Sequence, residues 1–256
     1  MLNQHNLAGS DGVRVIPLTG LPEFEEDDDL AALLAEAFSR AGGIEEGDIV
    51  VVAQKAVSKV EGRVVLLEGI EPSARAIELA GEDGDARQVE VILQESVEVV
   101  RSRPPLVIAQ TPHGFVCASA GVDASNAKGP GTVILLPLDP DASAAALRER
   151  LATLTGIAPG VIVSDSFGRA WRQGTTDIAL GVAGIVAIRD LRGSRDALGY
   201  ELRSTMIAVA DEIAGAAELV MGKTNGVPAA IVRGVDAAGD GRSADLVMPR
   251  ERDLFR

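Results

Sequence analysis

Residues 162–181 read IVSDSFGRAWRQGTTDIALG. A Val/Ile-rich run reaches Asp165 and Ser166, turns at Gly168, and gives way to Arg169, Trp171, Arg172, Thr175, Thr176 and Asp177. Asp and Ser are common where a strand ends, because their short oxygen-bearing side chains cap turns and helix starts. Capping alone does not account for this stretch. Behind the two residues stand the chain's single Trp and two Arg that no apolar core would select. The stretch therefore reads as a buried strand that ends at a site.

The flanking segments set the fold class. Upstream, residues 141–155 give a helix with Leu147, Leu151 and Leu154 on one face. Downstream, residues 204–221 give a second, presenting Met206, Val209, Ile213 and Val220 to the core, before PAAIVRG forms a last strand. Further out, DIVVVA at 48–53 is a buried strand, preceded by a short strand at 13–18 and a helix at 28–41. In that helix Asp27 to Asp29 supply the N-cap and favourable dipole charge, Leu30, Leu33, Leu34 and Phe38 the apolar face, and Gly42-Gly43 the stop. The acidic run EFEEDDD at 23–29 reads as a solvated helix start rather than a metal site. A return strand starts at Arg63, and helical segments at 72–80 and 85–102 run to Pro104-Pro105. LVIAQT, GFVCASAG and TVILLP then read as strands in antiparallel pairing. Alternating strands and helices, with no repeat and no Pro/Ser-rich linker, indicate an α/β protein, or α+β, on a mixed sheet.

Composition narrows the chemistry. With 256 residues, 46% of them hydrophobic, the chain can bury one large core or two modest ones. One cysteine, Cys117, excludes an intrachain disulfide and fits a reducing cytoplasm. Two distant histidines, His5 and His113, exclude a His or Cys/His metal cluster, so any metal must rest on oxygens: Mg²⁺, Mn²⁺ or Ca²⁺. The start, MLNQHNLAGSDG, lacks the pattern of a signal peptide, and no apolar run reaches the roughly eighteen residues that cross a bilayer. A cytoplasmic location is expected. A net charge of −14 opposes binding to nucleic acid or an anionic membrane. Small anions remain possible where cations are concentrated. All four lysines stand in Gly- or Ser-containing stretches, AQKAVSKVEG (Lys55, Lys59), ASNAKGPG (Lys128) and MGKTNG (Lys223). Compact ammonium groups beside turns suit phosphate.

Familiar nucleotide motifs fail. GKT at 222–224 lacks the P-loop's earlier glycine, since Ala217 stands there, and it closes a helix where a P-loop opens one. No GxGxxG exists, and neither histidine has the setting of a Ser-His-Asp triad. An oxygen-rich constellation survives: Asp123 and Asn126 in AGVDASN, and Asp165 and Ser166 in SDS. Two carboxylates and a hydroxyl from separate strand ends would make a hard-cation site with open positions for phosphate oxygens.

Seven collinear segments carry a resemblance: LTGLPEF, GDIVVVAQKAVSKVEGRV, AGVDASN, LLPLDPDASAAALRERL, VIVSDSFGRAWRQGTTDIALGVAGI, RDLRGSRDALGYEL and VADEIAGAAELVMGKTNGVPAAIVRG. Together they resemble the coenzyme F420-0:L-glutamate ligase family, the gamma-glutamyl ligases of deazaflavin cofactor biosynthesis. The resemblance implies a gamma-glutamyl ligase-like fold in an intertwined homodimer, residues 1–256 forming one ligase domain with room for two subdomains. It implies GTP-dependent joining of L-glutamate to the lactyl carboxylate of coenzyme F420-0 through an acyl phosphate, releasing GDP and phosphate. Mg²⁺ or Mn²⁺, and a monovalent cation, are the implied cofactors. Such chemistry asks for positioning and charge neutralisation more than for a protein nucleophile. A metal-dependent nucleotide phosphohydrolase, or a ligase of the same fold acting on another carboxylate, remain the alternatives.

Carried over by position, the resemblance makes Asp123 and Asp165 catalytic and, with Ser166, metal ligands. It assigns GTP to Leu21, Pro22, Glu23 and Phe24, to Gln54 and Lys59, to Asn126, and to Met221, Gly222, Lys223, Thr224 and Asn225. Arg169 and Arg172 are assigned to substrate. Gln54 stands where many relatives place Ser, and Lys223 where some carry a metal-binding amide; an ammonium cannot ligate a cation, so Lys223 is expected on phosphate. Some relatives continue past a DLF-like segment into a flavin-binding, nitroreductase-like domain, whereas this chain stops at DLFR.

Overall fold

A computed structural model describes residues 12–127 and 129–255. His5 and Lys128 lie outside the described residues. Strand β1 (Arg14–Pro17) leads to helix α1 (Leu30–Arg40), whose N-cap Asp29 accepts from the Ala32 N–H and whose Leu30, Leu34 and Phe38 are buried. Strand β2 (Ile49–Ala53) runs directly into helix α2 (Gln54–Val60), followed by β3 (Val64–Leu66), α3 (Ala74–Ala80) and α4 (Ala86–Gln94). Strands β4 (Glu98–Arg103), β5 (Leu106–Gln110), β6 (Val116–Ala118) and β7 (Thr132–Ile134) come next. Helix α5 (Pro140–Thr155) is capped by Asp139 and stopped by Gly156 at φ 77°, a left-handed position that suits glycine. The hairpin of β8 (Gly160–Arg169) and β9 (Arg172–Ala183), the short β10 (Arg189–Asp190) and β11 (Met206–Ile207), helix α6 (Val209–Met221) and β12 (Ala229–Arg233) complete the order.

The main sheet runs β1-β12-β2-β8-β9. Only β2 and β8 are parallel within it, so the sheet is mixed as expected. Helices cover both faces, which is why its central strands read as unbroken apolar runs. Side chains alternate strictly. Val50, Val52, Val161, Val163, Ala229 and Ile231 face α1 and α5, while Ile49, Val51, Ile162, Ala230 and Val232 face α6. A separate apolar cluster lies around α3, α4 and β5, joined by Val133 of β7.

Several expectations need correction. The segment 85–102 is not one helix: α4 stops at Gln94, and the β-branched run after it pairs as β4 with β5. LVIAQT and GFVCASAG pair as expected in β4-β5-β6, but TVILLP pairs with β3 instead. The last helix begins at Val209; Met206 lies in β11 and is exposed. Leu154 is also exposed, whereas Leu147 and Leu151 of the same helix are buried. Most consequentially, the opening strand neither ends at Ser166 nor turns at Gly168. It continues to Arg169 and returns as β9, because its residues past the site find cross-strand partners, Asp165 with Ile178 and Ser166 with Asp177. Among the described residues no helix is long and apolar enough to cross a membrane.

Candidate active site

The parallel pair fixes the site. β2 and β8 run side by side as far as Ala53 and Ser164. There β2 gives way to α2, while β8 continues and exposes Ser164, Asp165 and Ser166 to a cavity of about 380 Å³. Carboxyl ends of parallel strands are where open α/β sheets place ligands. The turn Leu21–Phe24 forms another wall, and the end of α6 with the loop after it, Met221 to Thr224, a third. Asn126 reaches in with a left-handed backbone at φ 56°. Lysines 55, 59 and 223 all line this one cavity.

Three internal ties shape the lining. Gln54, only 1% exposed, donates through Nε2 to Ser58 Oγ and to the Leu135 carbonyl, each at 2.7 Å. Its amide is thus committed to structure, and it holds α2 against the segment after β7. Lys59, 8% exposed, pairs with Glu23 and ties the Leu21–Phe24 turn to α2. Asp177 is buried on β9 and accepts from Ser164 Oγ at 2.9 Å and from Ser166 Oγ at 2.6 Å. Its own N–H donates to Glu218 Oε2 of α6 at 2.9 Å, so hairpin and helix are locked together at the cavity.

The charge balance is unusual. Burial, reinforced by the nearby Asp177 and Asp123 carboxylates, pushes the Asp165 carboxyl up to about 6, against the opposing pull of Lys55 and the Ser166 N–H. Asp123 goes the other way. Burial opposes its ionisation, but the Lys55 ammonium at 2.6 Å and the Ser125 N–H at 2.7 Å together hold it below the usual carboxylate range. Lys55 is therefore the positive charge that Asp123 and Asp165 share. Among the described residues, no three His, Cys, Asp or Glu side chains are gathered closely enough to hold a metal ion. The oxygen-bearing side chains that could hold a hard cation, one that keeps most of its sites for water or phosphate, are the Asp165 carboxylate and Ser166 hydroxyl in the cavity and the Asp123 carboxylate behind Lys55.

Of the residues singled out in the sequence, Leu21, Pro22, Glu23, Phe24, Gln54, Lys59, Asn126, Asp165, Ser166, Met221, Gly222, Lys223 and Thr224 line the cavity. Asp123 does not line it but is joined to it through Lys55. Asn225 is not in the lining; its amide lies beside Gly222, where a side chain on that glycine would go. Arg169 and Arg172 are not in the lining either: both are exposed at the far end of the hairpin. Sequence reasoning gave Lys55 only a general suitability for phosphate, not a pairing with Asp123, and gave no role to Ser164 or Glu218. Lys55 carried a signal, its place among the turn-side lysines. Ser164 carried one in its alternation with Ser166, whereas Glu218, in the middle of a helical pattern, carried none.

Comparison with known proteins agrees with the segment pattern. The family model described as F420-0:Gamma-glutamyl ligase matches residues 20–234. A protein of Methanocaldococcus jannaschii named coenzyme F420:L-glutamate ligase is 46% identical over 217 residues, covering 83% of this chain and 86% of its own. Proteins of the same name from Methanothermobacter thermautotrophicus and Methanopyrus kandleri are each 43% identical, over 96% and 98% of this chain and 99% and 100% of their own. The cavity's walls, from Leu21 to Pro228, fall within the matched span, and the chain belongs to the F420-0:gamma-glutamyl ligase family of enzymes.

Proposed function

We propose that this protein forms an amide between L-glutamate and the lactyl carboxylate of coenzyme F420-0, using GTP. The observation that carries the reading is the convergence of Leu21–Phe24, α2, Ser164–Ser166 and Met221–Thr224 on one cavity. These segments are far apart in sequence, and they are the ones in which the family resemblance is concentrated.

In this reading the turn at Leu21–Phe24 and the loop at Met221–Asn225 bracket the nucleotide, with Lys59 and Lys223 as point charges for phosphate oxygens. Asp165 and Ser166, with Asp123, would hold Mg²⁺ or Mn²⁺; such an ion, when bound, neutralises triphosphate charge and polarises the transferred phosphoryl group. An acceptor carboxylate oxygen bonds to the γ-phosphorus as the bond to GDP breaks. The glutamate amine then bonds to the acyl carbon as phosphate leaves. The protein's part is alignment and exclusion of water from the acyl phosphate, which suits a lining that includes Leu21, Phe24, Val227 and Pro228. The chain acts as one ligase domain within a homodimer.

The test is to incubate the protein with GTP, Mg²⁺ or Mn²⁺, L-glutamate and the deazaflavin acceptor, and to weigh the products by mass spectrometry. Growth of the acceptor by one or more glutamyl residues, lost in Asp165→Asn, is the expected outcome. GTP loss that ignores both acceptor and glutamate would identify a phosphohydrolase instead.

A further inference from the structure

Lys55 lines the cavity, yet its ammonium is already committed. Nζ meets Asp123 Oδ2 at 2.6 Å, Ser125 Oγ at 2.5 Å and the Ser125 carbonyl at 2.9 Å. An ammonium carries three N–H groups, so these three oxygens use all of them and none remains for a phosphate. Asp123 is committed in turn. Its Oδ1 accepts from the Ser125 N–H at 2.7 Å, and its Oδ2 accepts from the Ser125 hydroxyl at 3.0 Å as well as from Lys55. A second cation reaching Asp123 would stand beside a fixed positive charge, on a side chain only 17% exposed, where water screens little. Asp165 lies within electrostatic reach of the same ammonium. Ser166 differs: its Oγ gives its proton to Asp177 Oδ1 at 2.6 Å, which leaves the hydroxyl's lone pairs as acceptors for a cation.

We propose that Lys55 is a resident counter-ion that competes with the divalent cation: its pairing with Asp123 and cation binding at Asp123 exclude each other, so the ammonium must leave before Asp123 can serve as a ligand. The inference rests on the cation site of the ligase reading and adds what balances Asp123 and Asp165 in the free protein. The arrangement spares the fold two buried, unpaired carboxylates before any substrate arrives. It also couples the two ligands. An ammonium displaced from Asp123 regains its three N–H groups on the first turn of α2, within the cavity wall, where triphosphate oxygens can take them. Cation and triphosphate then strengthen each other's binding by the same factor, because each gains from the displaced lysine.

The experiment is a titration of nucleotide-free protein with Mn²⁺, the free aquated ion read by electron paramagnetic resonance, for wild type, Lys55→Met, Lys55→Arg and Lys55→Met/Asp123→Asn. Removing the charge in Lys55→Met should tighten Mn²⁺ binding about tenfold. Lys55→Arg keeps the charge and should bind as weakly as wild type, and the double variant should lose the gain. Thermal melting gives a second reading: Lys55→Met should melt below wild type without Mn²⁺ and recover in saturating Mn²⁺. Lys55→Gln, neutral and still able to hydrogen-bond Ser125, takes the place of the methionine variant if that one does not fold. A neutral variant that binds Mn²⁺ no tighter than wild type, or whose lost stability Mn²⁺ does not restore, overturns the proposal and leaves Lys55 as a tie between α2 and the Asp123 loop. Glutamyl transfer by the wild-type protein alongside that result would leave the ligase reading intact. Its absence would remove the ligase reading itself. Failure of all the proteins to bind Mn²⁺ would overturn the cation site and the proposal together.

Discussion

Removing the Asp177 carboxylate should destabilise the protein measurably and disorganise the cavity. Asp177 is 6% exposed and accepts both Ser164 Oγ, on a residue 1% exposed, and Ser166 Oγ. Hydrogen bonds to a charged group are each worth about 1.5–3 kcal/mol, so losing two in Asp177→Ala removes about 3–6 kcal/mol, including the penalty of stranding the buried Ser164 hydroxyl. Part is returned, because Asp177 and Asp165 repel each other, and relief of that repulsion is on the order of 1–2 kcal/mol. The net loss is about 2–4 kcal/mol. With a urea slope of about 3 kcal/mol/M, the midpoint should fall by about 1 M. Far-UV circular dichroism is the right probe, since the exposed Trp171 reports little of the core. Asp177→Asn keeps the shape and one acceptor oxygen, and the serine hydroxyl facing its NH₂ can rotate to accept; its midpoint should move by less than half as much. An alanine variant whose midpoint stays within about 0.2 M of wild type would refute the clamp and, with it, the account of how Ser166 is positioned.

Burial pushes the Cys117 thiol up to about 12. It should therefore ignore a disulfide reagent at pH 8 in the native protein and react stoichiometrically in denaturant, as read by thiol colorimetry. A Cβ at Gly181 would sit 2.0 Å from the Pro140 carbonyl oxygen, a backbone atom that cannot swing aside. Gly181→Ala should cost about 3 kcal/mol or more, whereas Gly168→Ala, with nothing within 4 Å, should be near neutral in thermal unfolding. Burial raises the Asp211 carboxyl above 3.8, the ordinary value for an aspartate. The folded state then holds that proton longer than the unfolded chain, so this group's contribution is fully present below pH 3.8 and is lost as pH rises through its folded pKa. Asp211→Asn keeps an acceptor for the Ala179 N–H, and its melting temperature relative to wild type should rise across that window and level off above it.

The central sheet was legible because burial on both faces writes itself as uninterrupted apolar runs: DIVVVA and VIV in the sequence are β2 and β8 in the structure. The cavity was legible where segments had a distinctive local chemistry, as SDS and MGKTN do. What escaped was pairing. Nothing local distinguishes EVILQESVEVV as a helix followed by a strand, because its periodicity suits either until β5 supplies a partner for Val99. Nor could Gly168 announce that the hairpin turns later, at Trp171, since the tighter position is taken by a residue that local rules disfavour. Lys55 illustrates the same limit for the site. Its residue type and setting were visible, but its partner, Asp123, lies across a whole set of intervening strands and is found only through folding.

The division between the two basic residue types follows from the same geometry. Arginine's planar fork makes the structural ties: Arg233 grips Asp48 through Nε and Nη2, each at 2.7 Å, and Arg63 joins Glu95 to the Leu136 carbonyl. Asp48 is 1% exposed, so that fork neutralises a buried charge and fixes β12 to the start of β2. The lysines of the described residues, Lys55, Lys59 and Lys223, all line the cavity, two of them also paired with a carboxylate. In a strongly acidic chain, three lysines stand around one opening, among the carboxylates of Glu23, Asp165, Asp177 and Glu218. The parallel seam between β2 and β8 is what makes the arrangement possible. It sends Lys55 and Lys59 from one strand's end and Asp165 and Ser166 from its neighbour's into the same space, with cation and carboxylate side by side before any substrate arrives.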